Sequence, residues 1–499
     1  MKKVILFFLL ISAGLLSCND ILEPEADSFV NASTFYDTEE SIELAVNGAY
    51  SQLQDLYYTG SSDFWAITEM RSDNTTFQYN HGNRGEHETE FLDSFLILDE
   101  NGPIEEVWST IYTGISQCNV VLNRIENVEF SNSTLKEQYT GELKFIRAVH
   151  YFHLVRLFGG VPLVLDEVES PDDAFSEGRA SASEVYQQII NDVNDATSSL
   201  PENYSGADVG RATKGAAYTL LADVYLTQED YSAASDALEQ VINMNYSLLT
   251  DYSDVFDPAN KNNAESIFEI QFSSSIEGEA SEFAYRFVPF NSGSDIIGFT
   301  DLNPSHAGYN IPTRDVIRAY EQGDTRKDAS IAYYVNPENS QYDVAIGDSI
   351  PYIKKFVHSF EQPGRTNENV PVYRYAHVLL MMAEVINEVE GPTSEAYGYI
   401  NQVRQRAGLN NLTPGLSKEE FRDAVYHEQR VELAFENHRW YDLLRTNRAI
   451  EVMNAHGEEQ KQLVPRLTEE TYNVVEYKLL LPIPLREVRL NNLEQNPGW

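Results

Sequence analysis

The sequence predicts a mainly helical protein: a tetratricopeptide-like scaffold of packed helix pairs that carries long irregular loops and a few short strands. Three observations predict it. Apolar residues recur at three- and four-residue spacing in several separate segments, the mark of helices with one buried face. Within residues 211–242 the spacing follows a 34-residue helix-hairpin repeat: Tyr218, Leu221, Ala222, Tyr225, Ala234, Leu238 and Val241 fall at its positions 4, 7, 8, 11, 20, 24 and 27. Small residues at positions 8 and 20 let two antiparallel helices approach, and the larger ones fill the groove beside them. Finally, the periodicity vanishes over about 60–100 and 251–360, which are rich in Asn, Ser, Gly, Asp and aromatic residues. Long loops on a rigid scaffold are where function concentrates.

The elements follow in chain order. Lys2 and Lys3 precede a thirteen-residue apolar run, Val4 to Leu16, too short to span a bilayer and suited to a signal peptide over 1–17. It closes on Leu15-Leu16-Ser17-Cys18, which resembles a bacterial lipobox; Cys18 is the expected lipidation site and 18–27 a polar, Pro-bearing tether. Residues 28–499 read as a single domain, with helical repeats over about 135–245 and 373–445. Asp37-Thr38-Glu39-Glu40 offers a capping box, with Asp37 as N-cap and Glu40 at N3, and Ile42, Ala45, Val46, Ala49 and Leu53 continue one apolar face. Trp108, Ile111 and Ile115 suggest another helix. Leu135 to Phe158 is a longer one, ended by Gly159-Gly160, and Ala182 to Leu200 stops at Pro201. A second repeat shows at Leu379, Met382, Ala383 and Ile386 with Ala396 and Tyr399, and a degenerate third begins at Ala148 and Tyr151. Ser266 to Phe272 reads as a strand. Glu428 to Arg445 reads as one buried helix, with Leu433, Trp440 and Leu444 on one side and Val431 and Phe435 on another.

Charge narrows the function. The 499 residues hold 78 acidic against 35 basic side chains, a formal net charge of −43. Such a surface is repelled by phosphate backbones, which excludes general nucleic-acid binding, and by anionic lipid unless something tethers it. Two cysteines exclude a disulfide scaffold and a cysteine-rich metal cluster; Cys118 is expected to be a small buried hydrophobe. The chain contains no P-loop, dinucleotide fingerprint, nucleophile elbow or HExxH. His150 and His153, three apart on a helix, lack further metal ligands, and Glu105-Glu106 reads as solvated surface rather than a glycosidase pair. Asp257 to Glu265 lacks the glycine of a calcium loop. No catalytic residue, metal site or cofactor is expected.

Six segments carry a family resemblance. Lys144-Phe145-Ile146-Arg147-Ala148 through Leu157-Phe158-Gly159-Gly160-Val161-Pro162-Leu163 is the first, and Arg211-Ala212-Thr213-Lys214-Gly215 with Leu221-Ala222 the second. Tyr373 to Asn387, then Asn401 to Gly408, then Glu428 to Arg445 follow, and the chain closes on Leu481-Pro482-Ile483-Pro484 and Gln495-Asn496-Pro497-Gly498-Trp499. In this order, with the lipobox, they resemble the SusD/RagB nutrient-binding lipoproteins. His377, Gln429 and Asn437 depart from the family pattern, which often has Glu, Arg and Gly there; all three read as scaffold positions. Arg147, Arg404, Arg406, Glu428, Arg430, Glu432 and Arg439 read as ion pairs that fix the scaffold, not as catalytic groups.

The resemblance implies a SusD-like fold and a lipoprotein on the outer face of the outer membrane. It would capture an oligosaccharide and deliver it to a SusC-like TonB-dependent transporter, without catalysis. Family ligand sites draw on the N-terminal loop region and on loops near 280–320, here Phe64, Trp65, Arg71, Asp73, Asn74, Phe77, Tyr79 and Asn80 with Tyr285, Phe287, Phe290 and Tyr309, Trp65 foremost. Aromatic faces pack on sugar C–H faces while amides, carboxylates and guanidinium groups bond hydroxyls. A peptide-binding lid on the same kind of transporter, or a helical scaffold for protein partners, are the alternatives.

Overall fold

A computed structural model describes residues 35–60, 62–81, 87–170, 178–276, 278–298, 307–358 and 365–499. The expected signal peptide, Cys18 and the tether lie outside the described residues. The principal helices are α1 Glu39–Tyr57, α2 Gly102–Ile125, α3 Ser133–Phe158, α4 Ala182–Ser199, α5 Lys214–Thr227, α6 Tyr231–Ile242, α7 Tyr375–Glu390, α8 Ser394–Arg406, α9 Lys418–Glu432, α10 Arg439–Arg445, α11 Ala449–Leu463 and α12 Leu485–Leu490. Among the described residues the strands form antiparallel pairs: β1 Thr75–Thr76 with β3 Ile311–Pro312, β2 Ser266–Ile270 with β6 Val370–Arg374, and β4 Ile331–Val335 with β5 Ser349–Ile353. The fold is mainly helical, as the sequence predicts.

Consecutive helices stack. α1, α2 and α3 pack on one another, then α3 on α4, α4 on α5, α5 on α6, α6 on α7, and α7 on both α8 and α9. The hairpins α5–α6 and α7–α8 are the two repeats read from the sequence, and α3–α4 is the degenerate third. The small residues expected at their seams, Ala222 with Ala234 and Ala383 with Ala396, are fully buried. Where α2 crosses α3, a Cβ on Gly114 would lie 2.2 Å from His150 Nε2, so only glycine admits the imidazole. α1 starts one residue later than expected: Thr38 is the N-cap and Ser41, not Glu40, completes the box.

Glu428 to Arg445 is not one helix. α9 ends at Glu432 and α10 begins at Arg439, and between them Phe435 and Asn437 adopt φ of 72° and 65°. The left-handed conformation suits Asn and glycine, which explains the residue types at 437. What holds the break open is distant in sequence: the buried carboxylate of Glu69 accepts the backbone N–H of Phe435 (3.0 Å) and of Asn437 (2.9 Å).

Beside the break lies a buried ionic lattice. Arg374, on β6, reaches Glu265 (2.7 Å), Glu432 (2.8 Å) and Glu436 (2.7 Å). Arg326 reaches Asp324 (2.7 Å), Glu428 (2.6 Å) and Glu432 (3.0 Å), while Lys355 pairs with Glu436 at 2.7 Å. Arg404 holds Glu428 at 2.8 Å, and Arg406 holds Glu265 and Glu432. Burial opposes ionisation of Glu432, but Arg406, Arg374 and Arg326 outweigh it and hold the carboxyl well below the usual range. Arg147 likewise pairs with Asp192 at 2.8 Å. The charged residues singled out in the sequence are scaffold ion pairs.

Breaking such a pair strands the partner charge in the interior, at a cost of about 3–5 kcal/mol. Arg374→Met is therefore expected to lower the unfolding free energy by about that amount in a urea titration followed by far-UV circular dichroism. A second buried group sets a pH dependence. Asp93, in the short helix His87–Ser94, accepts the hydroxyls of Thr76 (3.2 Å) and Tyr472 (2.5 Å), and burial pushes its carboxyl up to about 7 against those two bonds. An unfolded aspartate titrates near pH 3.9, so above that pH the native state keeps a proton that the unfolded chain has lost. This stabilisation is complete below about pH 4 and is lost as the pH rises through about 7. Asp93→Asn is expected to remove a slope of up to about 1.4 kcal/mol per pH unit from the urea-unfolding profile between these limits.

Candidate functional site

The two loop-rich regions meet. Residues 69–74 form a clamp against the α9–α10 break, and from there the chain enters β1, which pairs with β3 in the register Thr75↔Pro312 and Thr76↔Ile311. The pairing continues outward: Gln78 N–H donates to the Gly308 carbonyl at 2.7 Å, and the Gln78 side chain accepts from Phe290 N–H (3.0 Å) and donates to Asn291 Oδ1 (2.9 Å). Gly308 has φ of +89°, and a Cβ there would press on Phe290 at 3.1 Å and Gln78 at 3.2 Å, so the close approach requires glycine. This short ladder carries Tyr79 and Asn80 to the surface.

An aromatic floor lies beside the ladder. The rings of Trp65 and Phe287 are 5.3 Å apart and nearly edge-to-face, and those of Trp65 and Tyr309 are 5.5 Å apart. The Arg286 guanidinium sits 5.7 Å from the Trp65 ring and 5.4 Å from the Tyr309 ring. Trp65, Phe287 and Tyr309 are buried, whereas Tyr285 and Arg286 are half-buried. The indole N–H of Trp65 has no acceptor among the described residues. Toward the rim, Arg466 stacks 4.1 Å from the Tyr79 ring, His81 packs on Tyr79, and Phe290 packs on Tyr342 at 5.2 Å. The structure thus brings Trp65, Phe287 and Tyr309 together; Tyr79 and Asn80 are half-buried at the outer end of the ladder, and Tyr285 packs instead with Ala284, Val288 and Ile297.

Arg71, Asp73, Asn74 and Phe77 sit elsewhere. All four are buried. The Arg71 guanidinium lies 4.5 Å from the Trp440 ring and 5.2 Å from Phe95, donates to the Lys478 carbonyl, and is lowered by burial to about 9. Asp73 takes both arms of Arg439 at 2.8 and 2.9 Å and also meets Arg430 at 2.9 Å. Burial opposes its charge, but the two arginines hold its carboxyl well below the usual range. Asn74 donates to Glu69 at 3.0 Å and accepts from Arg430 at 3.0 Å, and Phe77 lies under Arg466. Asp73 and Asn74 are bonded to the arginines of α9 and α10, whereas Arg71 Nε and Nη1 have no hydrogen-bond partner among the described residues; all four sit in the interior, where they position the loop, and the expectation that they touch ligand is corrected by their burial. Phe290, expected from the sequence, packs on Tyr342, and the buried Gln78 with Asn291, Tyr342 and Arg466 complete these contacts without having been singled out in the sequence. Asn291 lies within the expected loop range, whereas no local pattern points to Arg466.

The histidines are structural. His153 lies between the hydroxyls of Tyr57 (3.1 Å) and Tyr441 (3.2 Å), and burial lowers His150 to about 3. Among the described residues no cluster of His, Cys, Asp and Glu could hold a metal ion, and no helix is long and apolar enough to cross a membrane.

Comparison with known proteins agrees with this architecture. The model of the SusD family matches residues 264–499, and a second model, described as starch-binding associating with outer membrane, matches residues 20–226. SusD-like protein P25 of Formosa agariphila is 28% identical over 98% of this chain and 96% of its own length. The starch-binding protein SusD of Bacteroides thetaiotaomicron is 24% identical over 79% of this chain and 78% of its own. Among solved structures, a laminarin-binding SusD-like protein superposes with a TM-score of 0.77 at 25% identity, covering 93% of this chain and 100% of that one. The stacked repeats and the paired loops therefore have one common explanation: the chain belongs to the SusD/RagB family.

Proposed function

We propose that the protein is a lipid-anchored binding protein on the exterior of the outer membrane, which captures neutral oligosaccharides and delivers them to a SusC-like TonB-dependent transporter. The observation that carries this reading is the packed Trp65–Phe287–Tyr309 floor beside the ladder that ends at the half-buried Tyr79 and Asn80. Rings present C–H-compatible faces, amides and a guanidinium offer directional bonds to hydroxyls, and the ladder and clamp beneath fix their positions. The names of the similar proteins, starch-binding and laminarin-binding, support a glycan as cargo. The net charge of −43 favours a neutral one. Cys18 would supply the anchor, residues 18–27 the tether, and 28–499 one binding domain. Such a role consists of capture and release without chemistry, which suits a millimolar to micromolar site, about −4 to −8 kcal/mol.

The described fold begins at residue 35, so a soluble 19–499 fragment retains all of it. In affinity gels containing laminarin or starch, its migration is expected to be retarded by at least one. Tyr79→Ala is expected to weaken that binding about three- to tenfold, the loss of one stacked ring, with the far-UV circular dichroism of the native fold unchanged. Full retention of affinity in the variant would displace the site from this end of the ladder, and retention of peptides in place of both glycans would reassign the cargo.

A further inference from the structure

A second concavity lies on a different part of the surface. It measures about 450 Å³ and is bounded by α2, by the segment after Pro162 and by α12. That volume is within the ordinary range for small-molecule sites, about 300–1,000 Å³. α2 spends its buried face on Ile104, Val107, Ile111, Ile115 and Cys118. The groove uses a second stripe at helical spacing, Trp108, Ser109, Tyr112, Thr113 and Ser116. The two rings are already fixed. Trp108 packs edge-on against Phe158 at 4.9 Å and lies 5.0 Å from Tyr112, whose hydroxyl donates to the Pro162 carbonyl at 2.8 Å.

The opposite rim is polar. Arg486 faces Glu105 at 3.6 Å, and Asn491 donates to Glu487. The buried Asn491 Oδ1 is left with no donor among the described residues. Burial raises the Glu487 carboxyl, with Glu105 adding to the shift and Asn491 and Arg486 opposing it. The groove therefore combines fixed aromatic side chains, small hydroxyls, an amide oxygen lacking a donor and more acidic than basic groups. Acidic Glu105, Asp166 and Glu487 against one arginine repel an anionic ligand, and the hydroxyl-rich walls suit a ligand dense in O–H groups.

We infer that this groove is a second binding site for a short stretch of neutral carbohydrate, separate from the Trp65 floor. The inference rests on the proposed glycan-capturing function for the class of ligand, and on the groove for the place. Two separated sites would hold a polymer at two points, so that release from one leaves the chain at high effective concentration near the other.

The four tryptophans give a direct readout. In the 19–499 fragment labelled with ¹⁵N-tryptophan, four indole N–H signals are assigned by Trp→Phe variants and followed during titration with laminari- and malto-oligosaccharides. One of these sugars is expected to shift the Trp108 signal with its own saturation curve, while Trp65 reports the first site. Ser109→Tyr and Ser116→Tyr each fill the groove from an exposed position without removing a contact. Both are expected to abolish the Trp108 response and spare that of Trp65. A Trp108 signal that stays still while Trp65 saturates, or that moves equally in both filled variants, overturns the second site and leaves the first standing. Movement of Trp108 alone supports the groove and removes the glycan from the Trp65 floor. Stillness of both signals with both sugars overturns the two readings together.

Discussion

The fold depends on a set of charges that water does not reach. Glu265, Asp324, Glu428, Glu432 and Glu436 are matched by Arg326, Lys355, Arg374, Arg404 and Arg406, and the ten side chains are buried. They come from the entry to β2, the short helix Thr325–Ser330 and its cap before β4, the loop after β5, β6, the end of α8, the end of α9 and the break that follows it. An ion in a low-dielectric interior is tolerated only when its partners are in place, so these segments can be buried only in one mutual arrangement. Within this set, five charges of each sign cancel.

This lattice also explains how irregular loops keep a defined shape. The segment before β1 is fastened to the helices on the far side of the chain by Glu69, Asp73 and Asn74, each of which meets backbone or arginine groups of the α9–α10 region. The aromatic floor then needs no regular secondary structure of its own. Within a dozen positions the buried run from Glu69 to Gln78 gives way to the half-buried Tyr79 and Asn80, and no local pattern marks the change.

That explains which features can be read from the sequence. The repeats are legible because their determinants are local: Ala222 and Ala234, or Ala383 and Ala396, sit at fixed offsets within one hairpin. The break after Glu432 is not, because the apolar spacing continues through Leu433, Phe435 and Trp440 and the group that opens it lies 366 residues earlier than Phe435. The loop regions are recognisable as irregular and rich in aromatic residues, with Trp65, Phe287 and Tyr309 among them. Arg71, Asp73 and Asn74 look like ligand-contacting groups because polar side chains among aromatics have that character in a linear sequence. Their true partners, Trp440, Arg430 and Arg439, are distant in the chain, and no local spacing encodes the match.

The fastening of the β1 loop to the α9–α10 break has a mechanical meaning. Glu69 and Asp73 tie the approach to Tyr79 and Asn80 to the same turn that the buried lattice grips, with charge-assisted bonds of 2.8–3.0 Å at each joint. With cargo held as proposed, a pull on Tyr79 would be carried through these bonds to the helical stack rather than taken up by the loop alone. Traction on a captured polymer would tilt the body as a whole about its attachment, converting the drag of the cargo into a change of attitude rather than a change of shape.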